Sequence, residues 1–319
     1  MLPLVSIITP SYNRAGFIEL CLDSVCAQTY KNIEHIVIDG GSSDATVEIL
    51  RHYEKISNLR WISEKDEGMY HAINKGIALA KGDVIAYLNT DDAYFPWSVE
   101  TALDRLLSGA SIVYGDLCLV KKSGAEEICY LQFYRRFVRR FYTHFGTIAQ
   151  PTVFLKREIF KQLGKFDTTY QLIADCEYWL RCASKGYEPQ KIDEILAVQI
   201  DHQETLREVH EKLLRQEFSR LRNQYRVARY TDIRLLGRIE NAFLSRLYKA
   251  LFFLTFFGHG RMNRWPQFIG VFKKTKATFS AREIITSLLP GFLIQQKKVK
   301  SFSSSLTPAR IEAMVRAKD

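Results

Sequence analysis

Apolar residues in the first hundred positions switch period in a regular way. Residues 4–12, Leu-Val-Ser-Ile-Ile-Thr-Pro-Ser-Tyr, form a short apolar run broken by a proline, the pattern of a buried strand. Residues 15–28 then place Phe17, Ile18, Cys21, Leu22 and Val25 at helical spacing. The alternation repeats. A strand at 32–39 runs into the turn Gly40-Gly41-Ser42-Ser43-Asp44, and a helix follows at 45–56. Next come a strand at 59–65, a helix at 68–82 ended by Gly82, and a strand at 83–92. Strands alternating with helices predict an α/β fold: a mainly parallel, Rossmann-like sheet with helices on both faces. Past residue 100 the pattern predicts a helix at 100–109 and a strand at 111–120. A mostly helical stretch at 154–188, broken at Gly-Lys-Phe-Asp, leads to a last strand at 193–201 and a helix from 204 to 230.

In such sheets ligands bind outside the carboxyl ends of the strands. Tyr12 and Asn13 follow the first strand, Asp39 ends the second, Asp66 follows the third, and Asp91 and Asp92 end the fourth. One acid could be a helix cap, but capping alone does not explain acids at three strand ends on one rim. Adjacent carboxylates repel, and two readings of the Asp91–Asp92 pair stand. One is a solvated turn that caps the next segment. The other is a site for Mg2+ or Mn2+, hard cations that take a few carboxylates together with substrate phosphates.

Composition and charge refine this picture. A chain of 319 residues with 47% hydrophobic content accommodates one large α/β domain and an appendage. We draw the boundary after residue 205. Residues 206–319 hold 23 Lys and Arg against 8 Asp and Glu, and residues 1–205 hold 22 against 27. An acidic body with a basic tail suits a negatively charged partner. The six cysteines fall at positions 21, 26, 118, 129, 176 and 182, without CxxC or metal-ligand spacing, as expected of reduced thiols in a cytoplasmic protein. The N-terminal run has no basic region and meets Pro10 early, and no stretch offers 18 uncharged apolar residues. The expectation is neither a signal peptide nor a membrane span.

Three segments carry a family resemblance: residues 5–46, the stretch Asp66-Glu-Gly-Met-Tyr-His through Asn89-Thr90-Asp91-Asp92, and Ile173-Ala-Asp-Cys-Glu-Tyr-Trp-Leu-Arg181. Together they resemble the family 2 inverting glycosyltransferases with the GT-A fold, in order and spacing, over roughly residues 4 to 200. The resemblance implies a nucleotide-sugar donor, most simply a UDP-sugar, and a glycan or lipid-linked acceptor. Tyr12 matches the aromatic that stacks on the base, Asp39 the acid that bonds the uracil edge, and Asp66 the acid that helps hold the nucleoside. Thr9, Pro10 and Asn13 shape the same loop. The acidic motif reads Asn89-Thr90-Asp91, so Asp91 matches the metal-binding acid, and Asn89 replaces a carboxylate and weakens the expected metal affinity. Asp175 matches the general base, with Glu177 as its competitor. His202 matches a histidine that some GT-A enzymes add to the metal or diphosphate, and His144 and Gln150 are acceptor-side polar candidates.

The bland readings are a loop tyrosine at 12, a helix cap at 39, a solvated acid at 66, a helix-dipole charge at 175 and a solvent-facing histidine at 202. The tail carries apolar residues from Phe243 to Leu254 flanked by Arg238, Arg246 and Lys249, and a second apolar-basic patch at 284–300. This recipe suits a helix in an anionic membrane surface. It suits equally a face packed on the body or on another subunit, as in a homo-oligomer. Nucleic acid ranks last, since no nucleic-acid motif accompanies the charge. A sugar nucleotidyltransferase and a non-catalytic sugar-binding protein are the rival functions. Residues 9–16, Thr-Pro-Ser-Tyr-Asn-Arg-Ala-Gly, make a poor phosphate loop for the first, and Asn89 favours the second.

Overall fold

The structure is a computed structural model that describes residues 2–123, 126–134, 148–201, 210–225 and 295–302, with isolated positions between 135 and 142. The first half is the alternation that the sequence predicts. It runs β1 (Val5–Ser11), α1 (Ile18–Cys26), β2 (Ile33–Asp39), α2 (Thr46–Glu54), β3 (Leu59–Ser63), α3 (Met69–Leu79), β4 (Val84–Tyr87), β5 (Asp92–Tyr94) and α4 (Ser98–Leu107). The second half runs β6 (Ile112–Ser123), β7 (Glu126–Phe133), a 3-10 turn (Gln150–Thr152), β8 (Phe154–Lys156), α5 (Arg157–Leu163), α6 (Ala174–Ser184), β9 (Gln190–Asp201), α7 (Glu211–Tyr225) and β10 (Gln295–Phe302).

Among the described residues ten strands form one sheet, with main order β10-β7-β6-β8-β4-β1-β2-β3, and β9 joins both β5 and β6. Strands β1 to β4 pair in parallel. Every residue of β1 and β2 is buried, as expected when helices cover both faces of a parallel sheet. On one face Ile8, Ile36 and Ile38 pack with Tyr70, Ile73 and Ile77 of α3 and with Tyr178 and Trp179 of α6. On the other, Val5 and Ile7 pack with Cys21 and Val25 of α1 and Leu103 and Leu106 of α4. Fully burying each such aliphatic side chain contributes about 1.5–3 kcal/mol. Helix α3 lies close on β1 because residue 76 is glycine: a Cβ there would stand 2.4 Å from Ile8 Cγ2. Strand β1 lies between β2 and β4, so the order reverses at its carboxyl end, where open α/β sheets place ligands.

The second half departs from the sequence pattern. Strand β8 runs antiparallel to β4, and β6 and β7 form an antiparallel pair, so the sheet is mixed beyond β4. The stretch at 154–188 opens with a three-residue strand and holds an irregular segment between Gly164 and Ile173. The helix at 204–230 is described only over Glu211–Tyr225. Although α7 lies past the boundary drawn at 205, Leu221 is fully buried in the body's core, with Leu214 and Phe218 packed beside it. The packed body therefore reaches at least Tyr225. Within the second apolar-basic patch, residues 295–300 are not helical: they belong to β10, antiparallel to β7. The apolar stripe at 243–254 lies outside the described residues. Among the described residues no helix is long and apolar enough to cross a membrane.

Candidate active site

The loops that leave β1 and β2 are laced together. Asn13, with φ 52°, donates its N–H to Ser42 Oγ at 2.7 Å and accepts at Oδ1 from Ser43 N at 2.8 Å. Asn tolerates this left-handed backbone better than most residues. Asp39 is fully buried. Its Oδ2 accepts from Gly41 N (3.1 Å), Ser42 N (2.8 Å) and Ser63 Oγ (2.6 Å), and its Oδ1 from Ser42 Oγ (2.5 Å). The carboxylate thus organises the loop, with both oxygens engaged by it.

Gly40 forms the floor between two further candidates. A Cβ on it would stand 2.9 Å from Asp66 Oδ2 and 3.3 Å from Tyr12 Cδ2. Tyr12 is 61% exposed, an uncommon state for a large aromatic in a loop, and it leaves the ring face available. Asp66 Oδ1 accepts from Gly68 N at 2.8 Å, so the acid also caps the approach to α3. An exposed ring and a carboxylate therefore flank a glycine floor. Thr9 and Pro10 lie deeper, inside β1. Thr9 Oγ1 lies 2.9 Å from His35 Nε2 and 3.6 Å from Cys21 Sγ. Burial pushes the His35 imidazole down to about 3, so the ring is neutral beneath the loop.

At the end of β4 the acid pair separates. Asp92 is fully buried at the start of β5, while Asp91 is only partly buried. Asn89 Nδ2 donates to Asp92 Oδ2 and to Gln150 Oε1, both at 3.3 Å, and Gln150 Nε2 donates to the Tyr87 carbonyl at 2.9 Å. Both ends of the Gln150 amide are therefore engaged at the strand end. Thr90 is buried between them in sequence. The Asn89 Oδ1 atom is buried without a hydrogen-bond partner among the described residues. The Cys21 thiol is pushed up to about 12, first by burial and then by the charges of Asp92 and Asp91, against a Thr9 hydrogen bond. The charges of both carboxylates thus reach the Cys21 thiol beneath the strand end.

Among the described residues no cluster of three His, Cys, Asp or Glu forms a ready metal cage. Asp91, partly buried at the strand end, and Asn89, two residues before it with a buried Oδ1 lacking a partner among the described residues, are oxygen donors of the type that would suit a Mg2+ or Mn2+. His202 and His144 lie outside the described residues.

Asp175 opens α6 and is 4% exposed. Its Oδ1 accepts from Tyr70 Oη at 3.0 Å and from Cys176 N at 2.8 Å, and its Oδ2 takes no hydrogen bond from the described residues. Burial and then the Asp175 charge hold the Tyr70 phenol well above its ordinary range, so it stays a donor. Glu177 has a different fate. Arg181 grips it through Nη2 at 2.5 Å and Nε at 3.1 Å, and Tyr225 Oη donates to it at 2.5 Å. Between the two acids, Asp175 keeps one oxygen without a hydrogen bond from the described residues, whereas Glu177 is committed to an ion pair. Tyr70 and Gln150 have structural roles that the sequence did not disclose. Tyr70 sits at helical spacing with Ile73 and Ile77, which marks a core aromatic and says nothing of residue 175.

The model of the glycosyl transferase family 2 domain matches residues 6–164. A PGL/p-HBAD biosynthesis glycosyltransferase of Mycobacterium bovis is 29% identical over 191 residues, 57% of this chain and 70% of the relative. Among solved structures, Staphylococcus aureus TarS superposes with TM-score 0.51 at 17% identity over 69% of this chain. The chain spans only 43% of that TarS chain. A shorter TarS, residues 1–349 in complex with UDP, also gives TM-score 0.51, at 15% identity over 84% of this chain and 78% of TarS 1–349. The mannosyltransferase PcManGT from Pyrobaculum calidifontis, in complex with GDP-Man and Mn2+, gives TM-score 0.50 at 21% identity, over 64% and 58% of the two chains. The parallel half, the acids at its strand ends and the match over residues 6–164 agree: the chain belongs to glycosyl transferase family 2 and is a glycosyltransferase with the GT-A fold.

Proposed function

We propose that this glycosyltransferase is inverting and metal-assisted, moving a sugar from a UDP-sugar to a hydroxyl of a glycan or lipid-linked acceptor. The observation that carries this reading is Asp175: buried at the start of α6, one oxygen held by Tyr70 and Cys176 N, the other open. In the reaction the acceptor hydroxyl gives its proton to Asp175 Oδ2 as its oxygen bonds to the anomeric carbon. The bond from that carbon to the diphosphate breaks on the opposite face, and the nucleoside diphosphate leaves with the electron pair. Tyr12 stacks on the base over the Gly40 floor. Asp66 binds the nucleoside, and Asp39 acts by fixing the Gly40–Ser42 turn. Asp91 would hold the divalent ion, which supplies charge neutralisation to the departing diphosphate when bound.

The basic residues of the segment from 226 onward serve as the route to a lipid-linked acceptor at an anionic membrane surface. Each Lys or Arg near such a surface adds about 1 kcal/mol of attraction, which salt screens. Full-length protein that ignores anionic vesicles at low salt would remove this part of the reading.

The donor assignment is tested with UDP-glucose, UDP-galactose, UDP-N-acetylglucosamine and GDP-mannose, with released nucleoside diphosphate read with and without Mn2+. The expected result is release from a UDP-sugar that chelator abolishes. Pyrophosphate release from a nucleoside triphosphate and a sugar phosphate would instead favour a nucleotidyltransferase.

A further inference from the structure

Asp175 is approached by a segment with little regular structure of its own. Residue Ile173, just before α6, has no side-chain cap, and the preceding peptide N–H groups need acceptors. They find them on a remote helix. Glu217 of α7 is 5% exposed, and its carboxylate accepts from Gln171 N at 2.6 Å, Leu172 N at 3.0 Å and Ile173 N at 3.2 Å. Among the described residues no Lys or Arg pairs with it. A buried carboxylate without a cation is an expensive way to stabilise a fold, because desolvation opposes it. What it achieves here is geometric: three consecutive peptides are fixed two residues before the base.

The neighbouring contacts give that geometry a direction. Tyr70 Oη, which bonds Asp175, also lies 3.4 Å from the Leu172 carbonyl, so the Leu172 residue is held on one side by Glu217 and on the other by Tyr70. Helix α7 adds a second fastening: Arg220 Nη2 donates to Thr169 Oγ1 at 2.8 Å and its guanidinium stacks 4.2 Å over the Tyr170 ring. Tyr170 Oη in turn donates to Gln224 Oε1 at 2.8 Å. Every one of these partners lies between Thr169 and Ile173, on the path into Asp175.

We infer that Glu217 is a positioning residue of the transfer reaction, acting through the Gln171–Ile173 backbone on Asp175. Helix α7 is then part of the catalytic unit although it lies beyond the residues 6–164 that carry the family match. The inference rests on Asp175 being the base.

The test uses full-length chain and the donor panel above. Glu217→Gln keeps the shape but turns an amide N–H2 toward backbone donors. Expected are a tenfold or greater fall in kcat, a donor KM within twofold of the parent, and faster amide hydrogen exchange in the peptide that spans residues 168–178. Glu217→Asp restores part of kcat and covers the case in which the amide variant fails to fold. Tyr225→Phe, on the same helix but bonded to Glu177, stays within twofold in kcat. Faster exchange in Glu217→Gln with parental kcat would overturn the inference, leaving Glu217 a purely structural group. Asp175→Asn in the same assay separates the two claims. An inactive Asp175→Asn beside a fully active Glu217→Gln sinks the positioning role alone, whereas an active Asp175→Asn sinks the base assignment and the positioning role with it.

Discussion

The two sides of the candidate site are built in different ways. On the nucleotide side each functional residue sits at the end of a strand, and its loop is fastened by its neighbours: Asp39 by Gly41, Ser42 and Ser63, Asn13 by Ser42 and Ser43, Asp66 by Gly68. On the base side, Asp175 is held by Tyr70 from α3, and the approach to it by Glu217 from α7. The first arrangement follows from strand ends and turn chemistry. The second exists only once remote elements have packed. Donor binding should therefore survive damage to the base side, and the proton transfer should be the more fragile property.

The largest effect that can break this contrast is at Asp175. Asp175→Asn should lose about 10²–10⁴ in turnover, the usual worth of a general base, with donor affinity unchanged. Glu177→Gln should cost stability through Arg181 and leave the mechanism intact. If Glu177→Gln is dead and Asp175→Asn active, the base is the other acid. Next comes Asp91→Ala, expected to cost about a hundredfold in turnover and to remove stimulation by Mn2+. Full activity in excess chelator would argue against the metal. Gly40→Ala sharpens the nucleotide side. The added methyl crowds Asp66 and Tyr12 and should raise donor KM about tenfold with little change in kcat.

Tyr70→Phe probes the base side more gently. It removes one hydrogen bond and should lower kcat about two- to tenfold. A parental kcat in Tyr70→Phe would make Tyr70 a packing residue only.

The smallest effect concerns acid stability, and two buried groups differ in sign. His35, beneath the nucleotide loop, is lowered by burial to about 3. Its folded value lies below its unfolded one, so the unfolded chain binds a proton that the native state refuses. Stability is lost as pH falls below about 6.5, by about 1.4 kcal/mol per unit. Asp116 of β6 is raised to about 6, by burial first and against the Lys191 ammonium 2.8 Å away. There the native state holds the extra proton, and stability falls as pH rises from about 4 to 6. The stability advantage of the parent over His35→Asn should therefore shrink on acidification from pH 6.5 to 4. An advantage constant with pH would mean that the ring is protonated in the fold.

The nucleotide half was legible because its signals are short-range. Val5, Ile7 and Ile8, then Ile18, Leu22 and Val25, announce their elements by period alone, and strand ends at Tyr12, Asp39 and Asp91 place the rim. The other half was not. Phe154–Lys156 is three residues long and merges with the helix after it. Residues 128–133, Ile-Cys-Tyr-Leu-Gln-Phe, lie next to charges at 126–127 and show no readable period. Residues 295–300 carry lysines that suit an amphipathic helix as well as the strand they form. The Tyr70–Asp175 and Glu217–Ile173 contacts join residues far apart in sequence, and no local pattern encodes such pairs. The polarity of Gln150 is legible in the sequence, but its bonds to the β4 strand end are not.

The central claim is a single displacement at the anomeric carbon, with the nucleotide rim on one face and Asp175 on the other. It is tested most directly by the anomeric configuration of the product, read by proton NMR after transfer from an α-linked UDP-sugar by the parent chain. The account predicts a β-linked product from the first turnover onward. An α-linked product would contradict it and require a different role for Asp175.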